Sequence, residues 1–325
     1  SNTMPGNDTI HVPPGEYRLT IPGMGEDSAV TGDLDILDNV TIYGSGSDIT
    51  IVDALANDRV FHIHYVDVWA DFNDLTIRGG NSTSSPTSEN GAGIRNEGVA
   101  VNLTRCIVED NLTTAGSGGG VDSSGGLVCV LESIIRDNLA ENGSAISSSY
   151  GAIVIERSTI EGNYQVGENP GGGTVWAREA DVTIKNSTVC DNQTQIAGPP
   201  AGFSLRDGQI TIESCTLADN DGAEIFSPAG HAAAVTLSNT IIKGNCSGVF
   251  PQSDGGNVGD DPGNYCGFEG GQDIWGVPIY LHPLGDYGGP TPTMPPIYVL
   301  NDGNLAIDNA WAEPNCLPTD QRGTI

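Results

Sequence analysis

The sequence predicts an all-β protein folded as a right-handed parallel β-helix, and three observations carry that prediction. The first is a repeat. Segments such as IERSTIEGN (155–163) recur, ending on Asn111, Asn138, Asn163, Asn192, Asn220 and Asn245, at steps of 27, 25, 29, 28 and 25 residues. A fixed period of this length marks one supersecondary unit per repeat. The second is a set of aliphatic columns. Ten residues before each Asn stand Val101, Val128, Ile153, Val182, Ile210 and Val235; eight before stand Leu103, Val130, Ile155, Ile184, Ile212 and Leu237; three before stand Val108, Ile135, Ile160, Val189, Leu217 and Ile242. The third is composition: 45 glycines, 6 % aromatic and 17 % charged residues in 325. Against roughly 25 % charged residues in an average domain, this suits thin repeated layers with tight turns.

Each element follows from these columns. Positions −10 and −8 alternate with polar residues, and so do −5 and −3; period two is the signature of a strand. The parity breaks between −8 and −5, so two short strands meet at a corner. Small residues stand at −5 (Cys106, Ser133, Ser158, Ser187, Cys215, Thr240) and relieve crowding there. The repeating Asn ends the second strand, is expected to take the left-handed turn itself, and should stack into a side-chain amide ladder between coils. A third strand precedes the pair, as in GAGIRN (91–96), GGGVDS (118–123), GSAISS (143–148) and GGGTVWAR (171–178). Apolar spacings of three and four, which a helical solenoid needs, are absent. Earlier coils are less regular but readable in LDILDNVTIYG (34–44), DITIVDA (48–54), RVFHIHYVDVW (59–69) and FNDLTIRGG (72–80). The expected organisation is an N-terminal cap over 1–32, the solenoid over 33–245, and a Gly-, Pro- and Asp-rich cap over 246–325.

The formal charge is −30, from 12 basic and 42 acidic residues, and Lys185 and Lys243 are the only lysines. Nucleic acid is excluded as a partner, because phosphate binding needs basic patches. Such a charge keeps a particle soluble and attracts cations. No run of 18 apolar residues is present, so membrane insertion of this segment is not expected, and the opening SNTMPGNDTI reads as a processed or trimmed start. Of the seven cysteines, Cys106 and Cys215 fall in the small column and read as buried hydrophobes. Cys246 and Cys266 flank a Gly/Asp-rich loop, and their pairing as a disulfide would imply an oxidising compartment. Sequons at Asn39, Asn81, Asn102, Asn111, Asn142, Asn186 and Asn192 are candidate glycosylation sites, though Asn and Thr also recur there as part of the repeat.

The run DTIHVPPGEYRLT…TIYGSGSDITIVDA…LTIRGG, followed by repeats of STI-x-x-N type, resembles bacterial and archaeal β-helix surface proteins of the CSLREA and choice-of-anchor Q type. The tail carries the same likeness in HPLGDYGGPTPTMPP (282–296), NLAIDNA (304–310) and CLPTDQRG (316–323). The repeats are also similar to those of polymorphic outer-membrane adhesins. The resemblance covers nearly the whole chain and implies an exported cell-surface or secreted protein. The family's CSLREA motif would lie upstream of Ser1, and any anchor after Ile325. It transfers no catalytic residue.

Parallel β-helices also carry sugar lyases and hydrolases, so the fold alone decides nothing about chemistry. The NTD, GHG and RIK motifs of a polygalacturonase-like site are absent. Arg78, Arg105, Arg136 and Arg157 recur near the STI strand at differing offsets and read as a solvated face. Two acidic runs are candidates for calcium, Asp33, Asp35 and Asp38 in one and Asp254, Asp260 and Asp261 in the other, since hard cations need clustered oxygens; neither has EF-hand spacing. His62 and His64 alternate with Phe61 and Ile63. With the latter pair inward, both imidazoles are expected to face outward, where Asp58 or Asp67 would help them hold a transition metal. His11, His231 and His282 are scattered. The functional expectation is a non-enzymatic extracellular structural or adhesive protein, with glycans as candidate partners. The open strand edges of a solenoid's ends would further allow head-to-tail assembly into fibres. The alternatives are a polysaccharide lyase or glycoside hydrolase, and a calcium-dependent glycan-binding module.

Overall fold

The structure is a computed structural model describing residues 6–83, 85, 88–167, 172–195, 202–269, 272–297, 304 and 319–322. Among the described residues the strands of the coils pair in parallel, and the antiparallel bridges Leu281 to Pro296 and Gly285 to Thr293 lie in the tail. The strands stack into three long faces. The first contains Leu34–Ile36, Phe61–Ile63, Ile94–Asn96, Val121–Ser124 and Ile146–Ser149, and continues into the leading halves of Val175–Lys185 and Phe203–Glu213. The second runs from Asp8–His11 through Val40–Tyr43, Trp69–Asn73, Ala100–Thr104, Leu127–Leu131 and Ala152–Glu156. The third runs from Gly15–Arg18 through Thr50–Asp53, Thr76–Arg78, Ile107–Glu109, Ile134–Arg136, Thr159–Glu161 and Thr188–Cys190. The aliphatic columns align residue on residue, Val101 on Val128, Ile153, Val182, Ile210 and Val235 in one case. They form the buried core along the rod axis. Each fully buried aliphatic side chain contributes about 1.5–3 kcal/mol, so the repeated column itself holds the coils together.

Polar side chains lock the coils. The backbone N–H and Nδ2 of Asn111 both donate to Oδ1 of Asn138, at 3.1 and 2.9 Å, and Asn138, Asn163 and Asn192 repeat this toward Asn163, Asn192 and Asn220. The ladder ends one coil earlier than the repeat: Asn220 donates to Glu224 instead, and Asn245 is exposed. The left-handed conformation also sits elsewhere than expected. It falls on the residue before each ladder Asn (Asp110, Asp137, Gly162, Asp191, Asp219) and at the corner (Arg105, Glu132, Arg157, Asn186, Ser214, Asn239). The Asn itself must aim its amide along the axis, so its neighbour takes the turn. The small column does more than relieve crowding. The hydroxyls of Ser133, Ser158 and Ser187 accept the N–H of the preceding coil's Cys106, Ser133 and Ser158. Outside, cations bridge coils: Arg105 to Asp74 (2.6 Å), Arg136 to Glu109 (2.6 Å), Arg157 to Glu132 (2.9 Å) and Lys185 to Glu213 (2.7 Å). The arginines at differing offsets thus form an ion-pair ladder rather than a purely solvated face.

Both ends differ from the expected caps. Asp8–His11 and Gly15–Arg18 pair in register with Val40–Tyr43 and Thr50–Asp53, which makes them the first coil. At the other end Gln252–Ser253 and Val258–Gly259 extend the stack past 245, and Cys246 and Cys266 form the expected disulfide. The tail returns along the flank of the rod. Met294 packs on Cys190 and Ala218. The Nε2 of Gln321 lies within donating reach of Ser158 O, Thr159 Oγ1, Thr291 Oγ1 and Pro292 O, while its Oε1 accepts from Thr188. Most of NLAIDNA and part of CLPTDQRG, including Cys316, lie outside the described residues.

Candidate functional site

The outward column of the first face reads, coil by coil, Asp35, His62, Arg95, Asp122, Ser147, Trp176 and Ser204. Strand alternation turns Phe61 and Ile63 into the core and these residues away from it. The column is nevertheless recessed, because segments between the strands rise beside it.

At its start the segment 23–32 folds over the sheet, tied by Gly25 N–H to Asp58 (3.2 Å) and Ala29 N–H to Asp35 (2.5 Å). Here the expectation of outward, solvated histidines is corrected: His62 is 3 % and His64 8 % exposed. The carboxylates beside them are Asp35 and Asp27, in place of the expected Asp58 or Asp67. His64 Nε2 lies 2.7 Å from Asp35 Oδ1 and 3.9 Å from Asp27 Oδ1; His62 Nδ1 lies 3.7 and 4.0 Å from the same atoms. Neither ring nitrogen of His62 has a hydrogen-bond partner. Burial, with His64, Arg59 and Arg95 nearby, pushes the His62 imidazole down to about 2, so it is neutral. Burial also opposes charge on His64, but the hydrogen bond to Asp35 and the charges of Asp35, Asp27 and Glu97 outweigh it and raise its pKa.

Further along, a cavity of about 160 Å³ is lined by Asn90, Ser117, Asp122, Ser147, Ser149 and Trp176. Asp122 is buried, and desolvation lifts its carboxyl to about 6 against the opposing pull of Ser147 and Arg95. The guanidinium of Arg206 stands 5.9 Å from the centre of the Trp176 ring. The recess therefore offers hydroxyls, an amide and a carboxyl beside an aromatic wall.

The other expected sites disperse. Asp33 forms a buried ion pair with Arg59 at 3.1 Å, and Asp38 accepts the N–H of Asn39, so the first acidic run is divided. Asp254 accepts from Gln252, Asp260 from Gly244 N–H, and Asp261 from the N–H groups of Gly263 and Tyr265. Among the described residues the second run does not converge into a ligand set. Of the sequons, Asn111, Asn186 and Asn192 are buried, and Asn111 and Asn192 are ladder rungs whose amides are committed. These three have no room for a glycan in the folded chain. Asn39, Asn81, Asn102 and Asn142 are half-buried. Cys106 and Cys215 are buried free thiols pushed up to about 12 by burial, which leaves them inert. His11 stacks on Tyr43, His231 bonds Asp207 and His282 lies against Tyr287, all distant in sequence from the His62 cluster. Sequence reasoning missed Asp27, Asp122 and Trp176. The outward position of the last two within the third strand of each repeat was their only signal.

Residues 90–259, just over half of the chain, match the family described as the right-handed beta helix region. No curated protein and no solved structure matches the chain.

Proposed function

The chain belongs to the family of right-handed β-helix regions, and from that premise we propose that it is an exported, non-enzymatic surface protein, a stiff rod that adheres to glycans through its recessed polar face. The observation that carries this reading is the recess at Asp122, Ser147, Ser149 and Trp176. Sugar recognition uses fixed hydroxyl, amide and carboxyl partners beside an aromatic surface, and a rigid scaffold holds them without loss of entropy on binding. Extracellular location is supported by the disulfide and the charge of −30. Kinship with CSLREA and choice-of-anchor Q surface proteins belongs to the same proposal; the docking of GGPTPT (288–293) and Gln321 on the rod supports a structural role for that family's tail signatures.

The test is a glycan array probed with the purified chain. Binding to a defined glycan class that falls tenfold or more in Asp122→Ala and Trp176→Ala is expected; absence of any retained glycan would sink the reading. Binding that requires added calcium would favour a calcium-dependent module instead. A hydrolase or lyase is the second reading, because a buried carboxyl lifted to about 6 suits a general acid. Turnover of a glycan that is abolished in Asp122→Asn would replace our choice with that one.

A further inference from the structure

The recessed face begins at two histidines that the adhesive reading does not use. We propose that His62 Nδ1, His64 Nε2, Asp35 Oδ1 and Asp27 Oδ1 form a binding site for a borderline divalent transition metal of the zinc class, which staples the segment 23–32 to the first coils. One ligand atom from each of these four residues lies within 4.8 Å of the other three. Tetrahedral zinc with bonds of about 2.0–2.1 Å places its donors roughly 3.3 Å apart. Of the four histidine-to-carboxylate separations, 3.7, 3.9 and 4.0 Å lie above that value, and 2.7 Å is the His64–Asp35 hydrogen bond that a metal would replace. Closing the site therefore draws the donors together by about an ångström, and Asp27 is the exposed ligand of the four.

The independent evidence is His62. Its side chain is 97 % buried, and both ring nitrogens lack any hydrogen-bond partner. A buried polar group in that state is costly, and an occupant that accepts the Nδ1 lone pair removes the share that falls on Nδ1. Glu97 Oε2 stands 3.6 Å from His62 Nε2 and is itself paired with Arg95. A carboxylate behind a ligating imidazole fixes its tautomer and orientation. Two nitrogen donors with two carboxylates select against calcium and magnesium, which require all-oxygen shells.

The experiment is a Co²⁺ titration of chelator-treated protein, followed by visible absorption and competed with Zn²⁺ and with Ca²⁺. One equivalent of Co²⁺ with tetrahedral-type bands, displaced by Zn²⁺ and not by Ca²⁺, is expected. His62→Ala and Asp27→Asn should each weaken binding tenfold or more, the scale on which even outer-shell partners act, while His231→Ala leaves it unchanged. Asp27 lies in an exposed segment, so Asp27→Asn keeps the test decisive should His62→Ala fail to fold. Absence of binding at one equivalent, binding untouched by Asp27→Asn, or displacement by Ca²⁺ as effective as by Zn²⁺ would each overturn the site.

Discussion

At the scale of the residue, the ladder asparagines and Glu224 make opposite demands on the interior. Asn163 accepts from Asn138 N–H and Nδ2 and donates to Asn192, Ile135 O and Glu161 O. Asn163→Ala takes the acceptor from the buried Asn138 N–H and strips a partner from Asn138 Nδ2, Asn192 Oδ1 and Ile135 O, and a buried group left unpaired costs about 1–3 kcal/mol. We expect a loss on the order of 3 kcal/mol in urea denaturation. Asn245→Ala, at the same place in the repeat but exposed, should change stability by less than about 0.5 kcal/mol. Both residues look alike in sequence. What separates them is Glu224, which ends the ladder by accepting from Asn220. Burial lifts Glu224 to about 8, with Asp219 and Asp260 adding to the rise and the Asn220 hydrogen bonds opposing it. Its folded pKa is above its unfolded value of 4.5. The stability it contributes is therefore fully present below about 4.5 and is lost as pH rises through about 8. Between pH 5 and pH 8, wild type should lose stability relative to Glu224→Gln by a few kcal/mol, other groups cancelling in the difference. Equal pH dependence of the two proteins would contradict the assignment. No periodic signal marks Glu224, because it follows the repeat rather than belonging to it.

At the scale of the element, what was legible is what repeats. The aliphatic columns, the small column and the Asn ladder each recur through the coils from Ala100 to Asn220, so period and parity expose them, and the observed register follows the steps between the asparagines. What was hidden depends on segments that occur once. The histidines read as solvated because nothing in GMGEDSAVTG (23–32) announces that it folds over them. The flank contact of the tail was equally invisible, since Gln321 meets Ser158 and Thr188 across 163 and 133 residues. That single amide has five polar partners within hydrogen-bond reach, on the rod and on the tail's own Thr291 and Pro292. Gln321→Ala should release the segment locally: hydrogen exchange at the amides of Thr291, Thr293 and Met294 is expected to accelerate about 10- to 100-fold, matching a loss of about 1–3 kcal/mol. The melting of the solenoid itself should barely move, because its columns do not pass through the tail. An unaltered exchange rate would show that Met294 and its apolar neighbours hold the tail without the amide.

At the scale of the molecule, the first coil among the described residues carries apolar side chains that no described strand covers. Ile10 and Tyr17 stand in register above Ile42 and Val52, on the columns that become Phe72 and Ile77 one coil later, yet they are 48 % and 38 % exposed. Among the described residues, Asp8–His11 and Gly15–Arg18 pair along one edge only. An end of this kind buries apolar surface and completes a sheet by adding another coil, and we propose that a second copy supplies it, end to end. The opposing force is electrostatic. Two particles of charge −30 repel, and that repulsion falls off over a Debye length of about 30 Å at 0.01 M salt and about 3 Å at 1 M. Association should consequently lengthen as salt rises, the reverse of a contact made by opposite charges. Light scattering and electron microscopy across that range should show mass growing along one axis. Ile10→Asp, which places a further charge in the open core column, should hold the chain monomeric at every salt concentration while the rest of the solenoid melts as before. Particles of wild type that stay monomeric at high salt would mean that the open end is covered in some other way, and the fibre would have to be given up.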